Sequence, residues 1–450
     1  MPFIPHTDEE VSAMIAEIGV TSIDDLFEEI PASLRVDGFP TLATGDSEMD
    51  LAREFAARSR MDELAVCFAG GGCYDHHIPA AVWDITSRGE FLTAYTPYQA
   101  EASQGTLQLI YEFQTMISAL TGMEVANASV YDGGSALAEA VLMAVRLQKR
   151  HASKQVLSTA ALHPNYFDTA TSIVRGQGIV LDCMAPSEDG LSVPDAADSP
   201  LAVVIQQPNF FGNLEDVDTI VDWAHEQGAL VIAVVNPISL GLLRPPGSWG
   251  ERGADIVVGD GQPLGIPMAS GGPSFGFMCT RSKFVRQLPG RIAGRTVDVD
   301  GKSGFTLTLQ AREQHIRRGK ATSNICTNQG LLVTAGTIYM SLMGPAGLRS
   351  TAQACHDRTL RLVEKIEAET FAVRAMDVPF FHECVIDLQS ISADALVDRL
   401  ASRDILAGVP LGHWWPDRAT QLLVCATERR TQEEIDSFVD SISWALGANA

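Results

Sequence analysis

Between residues 125 and 280, short apolar segments alternate with segments of helical periodicity, and no other feature constrains the fold so strongly. The strand-like segments lie at residues 125–130, 155–159, 179–181, 201–206, 229–235, 255–259 and 275–280. Helical segments, among them residues 135–148 and 219–227, lie between them. Strands buried on both faces that alternate with helices are typical of a mainly parallel sheet flanked by helices. The sequence therefore predicts an α/β fold.

Changes of pattern along the 450 residues predict three regions, because a chain of this length is too long for one small core. Residues 1–70 form a helical arm, which opens with a capping box of Thr7 and Glu10 and carries an apolar stripe with few residues to cover it. Residues 71–328 form the large α/β domain. Residues 329–450, in which two helical segments precede mixed strands and helices, form a smaller α+β domain.

The composition argues against two classes of partner. The formal net charge is −24 and the sequence pI is about 4.7, so the chain repels phosphate backbones and we expect no nucleic-acid partner. We find no uninterrupted apolar run long enough to span a bilayer. The N-terminal residues lack the basic and apolar regions of a signal peptide. We therefore expect a cytoplasmic protein with no membrane partner.

The cysteines and histidines predict no metal site. The eight cysteines include no C-x-x-C pair, and we expect reduced, mostly buried thiols. His76 and His77 are adjacent and point in different directions on any regular element, and the sequence has no H-E-x-x-H spacing. Ordinary hydrogen-bonded histidines are therefore favoured over a zinc site.

A glycine-rich turn at residues 130–136, Val-Tyr-Asp-Gly-Gly-Ser-Ala, joins a strand to a helix. Glycines at such a turn let main-chain N–H groups approach an anion at the positive end of the helix, which suits a phosphate. A tight strand-to-helix turn favours glycine as well. The pattern is neither G-x-G-x-x-G nor G-x-x-x-x-G-K-[ST], so dinucleotide and nucleoside triphosphate sites are not predicted. The choice between an anion site and a plain turn stays open.

The order of elements around this turn resembles fold-type I pyridoxal-phosphate enzymes. That resemblance implies an Asp on the strand at residues 229–235, to hold the pyridine nitrogen, and a Lys after the strand at residues 255–259, to form the Schiff base. This chain has Val234 and Gln262 there, and neither side chain can do that chemistry. None of the six lysines lies where the Schiff base is needed: Lys149, Lys154, Lys283, Lys302, Lys320 and Lys365. We therefore expect no cofactor on this chain.

Two polar stretches are candidates for lining a site. Residues 95–105, Tyr-Thr-Pro-Tyr-Gln-Ala-Glu-Ala-Ser-Gln-Gly, crowd hydroxyls, amides and a carboxylate into a loop before an apolar helix. A helix-capping loop explains the same residues. Residues 316–329 are rich in hydrogen-bond donors, which suits an anion, a partner chain or a hinge between two domains. Neither stretch decides a function alone.

Together these stretches resemble one family closely, the glycine-cleavage-system P-protein, or decarboxylating glycine dehydrogenase. The sequence segments that match the family lie at residues 4–7, 22–27, 95–105, 113–116, 120–122, 124–129, 314–318 and 321–327. In that family a long form carries two homologous halves, whereas a split form has two subunits. The chain is similar in length and in amino-acid sequence to the first half of the long form, which in the split form is called subunit 1 or the α subunit.

The resemblance implies a reaction and a set of partners. With a second subunit that carries pyridoxal phosphate, in an assembly expected to be α2β2, the chain would decarboxylate glycine and pass the aminomethyl group to the lipoyl arm of the H-protein. The chain would hold no complete catalytic site. Five residues of its polar loop are candidates to face the partner's active site: Tyr95, Thr96, Tyr98, Glu101 and Gln104. The acidic carrier would have to dock on a local basic patch, such as residues 312–320.

Two other functions stay open. A self-sufficient pyridoxal-phosphate decarboxylase or transaminase would need one of the six lysines to hold the cofactor. A non-enzymatic regulatory protein on a degenerate scaffold of the same fold would not be required for catalysis.

Overall fold

A computed structural model describes residues 5–36, 38, 41–42, 45–61, 66–184, 199–269 and 271–447. The chain divides into two compact units, Met1–Glu63 and Leu64–Ala450. The boundaries expected from the sequence, after residues 70 and 328, stay predictions.

The first unit holds two α-helices in its described part, α1 (Asp8–Ile18) and α2 (Glu48–Met61). The predicted capping box of α1 is confirmed, because Thr7 and Glu10 each accept the other's main-chain N–H. The sequence also predicts a second helix in the arm, capped by Ser22 and ended by Pro31, but the structure has a single 3-10 turn there, Asp24–Phe27. The sequence pattern does not predict α2, because charged residues interrupt its apolar ones. Residue 4, the first of the family-like segment at residues 4–7, lies outside the residues that the structure describes.

The second unit contains ten more α-helices and fifteen strands within the described residues. The helices are α3 Ala80–Thr86, α4 Gly89–Leu92, α5 Gln104–Thr121, α6 Gly133–Leu147, α7 Pro164–Val174, α8 Val217–Glu226, α9 Gln314–Arg317, α10 Gly330–Glu369, α11 Ala393–Ala401 and α12 Gln432–Gly447. The strands are β1 Val66–Cys67, β2 Val125–Ala126, β3 Gln155–Ser158, β4 Val180–Cys183, β5 Ala202–Gln207, β6 Leu230–Val235, β7 Ile256–Asp260, β8 Gly276–Thr280, β9 Ile292–Val297, β10 Ser303–Thr308, β11 Val373–Arg374, β12 Glu383–Asp387, β13 Ile405–Leu406, β14 Val409–Pro410 and β15 Gln421–Cys425.

A seven-stranded sheet with the order β2-β8-β7-β6-β5-β3-β4 forms the centre of this unit. Strands β4, β3, β5, β6 and β7 run parallel, and β8 runs antiparallel to its neighbours β7 and β2. Both faces are buried, since Val203 of β5 packs in one core with Phe113 of α5, whereas Val204 packs in another with Leu137 of α6. The predicted mainly parallel sheet, flanked by helices, is confirmed.

The C-terminal part contains a separate four-stranded antiparallel sheet, with the order β11-β12-β15-β14. Its apolar face shares a core with α11 and α12, to which Val424, Leu396 and Phe438 belong. The predicted mixture of strands and helices is therefore present. A hairpin of β9 and β10 stands apart from both sheets.

The 40-residue helix α10 connects the two cores. Gly344, at φ 57°, and Pro345 divide it into the two helical segments predicted from the sequence. In the described residues, α10 is the one helix long and apolar enough to cross a bilayer, with a mean hydropathy of 1.4, although the sequence analysis found no such run. Because half of that window is buried inside the protein and Gly344 breaks the helix, we interpret α10 as a core helix.

Candidate functional site

The carboxyl ends of the parallel strands β5, β6 and β7 surround a small cavity, at the sheet edge where open α/β proteins bind their ligands. The cavity encloses about 40 Å³, which holds water but is far below a typical ligand pocket of roughly 300 Å³ or more. It adjoins a larger pocket of about 350 Å³ at the start of α6, which shares Gly72, His163, Tyr166 and Asp260 with it. The lining residues of the small cavity are Gly72, Tyr74, His163, Tyr166, Gln206, Pro208, Val234, Val235, Asn236, Pro237, Asp260, Pro263, His382 and Glu383. None of them is a lysine.

The two residues that replace the expected Asp and Lys are both buried near this cavity. Val234 lines it and packs against the core on the α6 side of the sheet. The amide of Gln262 is fully hydrogen-bonded: its Oε1 accepts from the Tyr74 N–H at 2.9 Å, and its Nε2 donates to the carbonyls of Tyr74 and Ile266 at 2.9 and 2.8 Å. Gln262 thus connects the segment at Tyr74 to the segment at residues 262–266 by hydrogen bonds. Its side chain has no amine that could form an imine with the cofactor. Val234 and Gln262 therefore do not fit the two contacts that pyridoxal phosphate needs here, the carboxylate at the pyridine nitrogen and the amine of the Schiff base.

A carboxylate of the chain itself occupies the amino end of α6, where the glycine-rich turn would hold a phosphate. Asp260, at the end of β7, accepts from the N–H groups of Gly133 at 3.0 Å and Gln262 at 2.8 Å, and from the Ser274 hydroxyl. Burial raises the pKa of Asp260, while these hydrogen bonds and the helix dipole favour its charged form. Asp260 therefore already accepts the Gly133 N–H that a phosphate at the start of α6 would need.

The first glycine of the turn is required by close packing. A Cβ atom at Gly133 would lie 2.2 Å from the hydroxyl oxygen of Tyr166, whereas one at Gly134 would keep 3.3 Å from Thr169. Asp132 caps the helix by accepting from the Ser135 N–H at 2.7 Å. Of the two alternatives left open by the sequence, these contacts favour a tight strand-to-helix turn.

The stacked side chains of a histidine and a tyrosine line the cavity on one side. The ring of His163 lies on that of Tyr166, with centroids 4.8 Å apart and planes at 13°. His163 Nδ1 accepts from the Asn165 N–H at 3.1 Å, which leaves Nε2 to donate to the Gly71 carbonyl at 2.7 Å. Burial lowers the pKa of His163, so the ring is held neutral. Residues 162–166, Leu-His-Pro-Asn-Tyr, begin four residues after the end of β3, and this position after a strand is the one sequence signal for His163.

Two consecutive polar residues from the C-terminal part close the other side. Glu383, at the start of β12, accepts from the Gly71 N–H at 2.6 Å and from the Tyr74 hydroxyl at 2.7 Å, and burial raises its pKa to about 7. His382 Nε2 lies 3.1 Å from the Asn236 amide, and burial lowers the pKa of His382 well below its usual range. Neither residue is predicted from the sequence, in which their one signal is a polar pair at the start of an apolar strand.

The predicted polar loop lies away from this cavity, and none of its five candidates lines it. Tyr95 and Tyr98 are 77% and 50% exposed, and Glu101 is exposed as well. Thr96 is 3.4 Å from the hydroxyl of Thr327. Gln104 is committed to the hairpin, since its amide exchanges two hydrogen bonds of 2.8 and 2.9 Å with the main chain at residue 305. Gln104 therefore braces the loop, and the two tyrosines form its exposed part.

The structure joins the two polar stretches that the sequence suggested separately. Arg291, which is 3% exposed, donates to the Tyr98 hydroxyl at 2.8 Å and to the Cys326 carbonyl at 2.7 Å. Its guanidinium also lies 3.6 Å from the carboxylate of Glu313, and the Tyr98 ring contacts His315 edge to face. Arg291 is not predicted as a site residue from the sequence, because nothing in its neighbourhood indicates which segments fold over it.

His76 lies in a buried cluster with Cys355 and Glu428, whose possible metal-ligand atoms are within 4.8 Å of one another. Hydrogen bonds account for these contacts, because Glu428 lies 2.8 Å from His76 Nδ1 and 3.2 Å from the Cys355 thiol. Burial raises the pKa of Cys355, so the thiol is protonated and donates. Burial opposes ionisation of Glu428 too, but the hydrogen bond and charge of His76 hold its pKa down at about 2. The expected lack of a metal site stays a prediction.

Comparison with known proteins assigns the family. A model of the glycine cleavage system P-protein matches residues 1–442. The chain belongs to the glycine cleavage system P-protein family. A P-protein relative from Nitrosomonas europaea, named probable glycine dehydrogenase (decarboxylating) subunit 1, is 54% identical over 456 residues, which cover 100% of both chains. The predicted family and its assignment to subunit 1 are confirmed.

Solved structures agree with the fold of this P-protein chain. A crystal structure of glycine decarboxylase (P-protein) of the glycine cleavage system, in inhibitor-bound form, has a TM-score of 0.89 and 40% identity, and covers 99% of this chain and 100% of that one. The sphingosine-1-phosphate lyase of Burkholderia pseudomallei has a TM-score of 0.63 and 15% identity, with 92% and 93% covered, which concerns the fold alone. The predicted fold-type I architecture of pyridoxal-phosphate enzymes is confirmed.

Proposed function

We propose that this chain is the subunit of a split glycine dehydrogenase (decarboxylating) that holds no cofactor, and that its partner, subunit 2, holds pyridoxal phosphate. The observation that carries the proposal is Gln262, buried and fully hydrogen-bonded at the position expected for the Schiff-base lysine. The Asp260 carboxylate at the amino end of α6 supports it, since a phosphate there would meet a second negative charge.

The assembled enzyme would decarboxylate glycine and transfer the aminomethyl group to the lipoyl arm of the H-protein. We propose an α2β2 assembly in the cytoplasm. This chain's part is to complete the wall of the partner's active site with the polar loop, where Tyr95, Thr96, Tyr98 and Glu101 would meet the substrate side. Gln104 would act as a positioning residue, because its amide is engaged with the β9–β10 hairpin.

A basic surface next to the loop is a suitable docking place for an acidic carrier protein. Arg317, Arg318 and Lys320 are exposed there, in a chain with a net charge of −24. Arg312, also in the predicted patch, is turned inward and donates to the Gly290 carbonyl at 2.9 Å. We therefore restrict the proposed H-protein patch to the three exposed side chains.

The exchange of labelled bicarbonate into the carboxylate of glycine tests this function. We expect exchange when the purified chain is mixed with subunit 2, H-protein and pyridoxal phosphate, and none when either subunit is omitted. Exchange by this chain without subunit 2 would indicate a self-sufficient enzyme. Exchange by subunit 2 without this chain would indicate a regulatory role. Either result would overturn the proposal.

A further inference from the structure

A second groove, which shares no lining residue with the sheet-edge cavity, lies between the second half of α10 and the start of α12. It encloses about 710 Å³, within the range of roughly 300 to 1,000 Å³ found for small-molecule sites. One face of α10, at residues 349–361, and residues 430–435 line it. Four of the lining residues are arginines, and we call the site the arginine groove: Arg349, Arg358, Arg361 and Arg430.

Three of these guanidinium groups have no carboxylate partner within the described ranges. Arg358 donates to main-chain carbonyl oxygens, that of Arg430 at 2.6 Å among them. Arg361 donates to the side-chain amide of Gln432. Arg349 is exposed and forms neither an ion pair nor a hydrogen bond with any described residue. None of the three therefore forms an ion pair with a described carboxylate, and the acid that interacts electrostatically with Arg361, Asp436, is paired with Lys365 at 2.8 Å.

The fourth arginine is buried and still has an unused donor. Arg430 is 5% exposed, and its terminal nitrogens lie 3.1 Å from Asp75 and 3.8 Å from Glu434. Its Nε is buried without an acceptor, although buried N–H groups are nearly always paired with protein, water or ligand. Asp75 also pairs with Arg429 at 3.2 Å, and Glu434 also accepts from the Thr431 N–H at 2.8 Å, so both acids are already engaged. The remaining lining carboxylate, Asp357, accepts from Gln353 at 2.7 Å.

We propose that the arginine groove binds a small organic phosphate. Guanidinium groups pair with phosphate oxygens through two parallel N–H donors, and several on one concave surface favour a multiply charged anion. Ser350 and Thr431 add hydroxyl groups, while Ala354 and Ile435 supply apolar surface for the organic part. Because the chain has a net charge of −24, most of its surface repels anions. A surface with several arginines is therefore a selective place for an anion to bind.

Calorimetric titration of the full chain with pyrophosphate at constant ionic strength tests the proposal. The test variant is Arg349→Ala with Arg361→Ala, two exposed arginines whose removal leaves the Arg358 and Arg430 contacts in place. The matched control is Arg175→Ala with Arg286→Ala, which removes the same charge from exposed positions elsewhere. We expect saturable binding to wild type and control, and at least tenfold weaker binding to the test variant.

Citrate is the second probe and should bind at least tenfold more weakly than pyrophosphate. The proposal is overturned if pyrophosphate does not bind, if the test and control variants bind alike, or if citrate binds equally well. The titration is then repeated after assembly with subunit 2. Retained binding supports a ligand site, whereas loss on assembly would show that the partner covers the groove and would overturn the proposal. Because no outcome depends on catalysis, failure here is separate from failure of the proposed function.

Discussion

At the scale of single residues, two buried acids, Glu383 and Asp260, hold the closed cavity together with the chain's own hydrogen-bond donors. Glu383 connects β12 to the segment at residues 71–74, and Asp260 connects β7 to the start of α6. Both carboxyl groups have pKa values raised by burial. The contribution of each acid to the packing around the cavity can therefore be measured as a change in the stability of the protein.

Replacement of Glu383 by Gln should remove part of the pH dependence of stability. Burial raises the pKa of Glu383 from 4.5 to about 7, so folding favours its protonated form. Its stabilising contribution is complete below pH 4.5 and is lost as the pH rises through about 7, a change of at most about 3 kcal/mol in the free energy of unfolding. Urea unfolding at pH 5 and pH 8 should show a smaller loss for the variant than for wild type. Equal losses would contradict this account of Glu383.

Replacement of Asp260 by Ala should turn the start of α6 into an anion site. The change leaves the N–H groups of Gly133 and Gln262 and the Ser274 hydroxyl without their acceptor, at a cost of roughly 1 to 3 kcal/mol for each buried donor. The variant should melt at a lower temperature than wild type and regain stability when inorganic phosphate is added. Asp260→Asn keeps an acceptor and is the control, expected not to respond. All three chains are compared in the Arg349→Ala with Arg361→Ala background, so that the arginine groove does not bind the added phosphate. A phosphate response of that background with Asp260 intact would contradict the account of Asp260.

At the scale of elements, the start of α6 depends on how closely α7 approaches it. A methyl group at Gly133 would meet the Tyr166 hydroxyl at 2.2 Å, whereas one at Gly134 would meet Thr169 at 3.3 Å. Gly133→Ala should therefore lower the free energy of unfolding by about 1 to 3 kcal/mol, and Gly134→Ala by clearly less. Denaturant unfolding of the pair checks this. Equal effects would mean that α7 moves freely away from α6.

The polar loop before α5 is the element expected to act on the partner. Its anchor is Arg291, and its exposed aromatic residues are Tyr95 and Tyr98. Alanine at Tyr95 should leave the stability of the chain unchanged and reduce exchange by the reconstituted pair at least tenfold. Phe371→Ala is the control, because Phe371 is 85% exposed in the C-terminal part and should be silent. Full activity of the Tyr95 variant would remove the loop from the shared site.

At the scale of the whole molecule, local patterns in the sequence predict the alternation of strands and helices, because periodicity follows from burial on the two faces of the sheet. Val234 and Gln262 are predictable too, since Val234 lies at the end of a strand and Gln262 follows the next one. Glu383 could not be predicted as part of the site, because the fold brings it to Gly71 across 312 residues. Arg291 joins segments at residues 98 and 326 in the same way.

The central claim is that the partner, and not this chain, carries the cofactor lysine. Borohydride reduction of the assembled enzyme, loaded with pyridoxal phosphate, followed by peptide mass spectrometry locates the lysine that becomes labelled. We predict a label on subunit 2 and none on the six lysines of this chain. A stoichiometric pyridoxyl label on any of those six lysines would contradict the account.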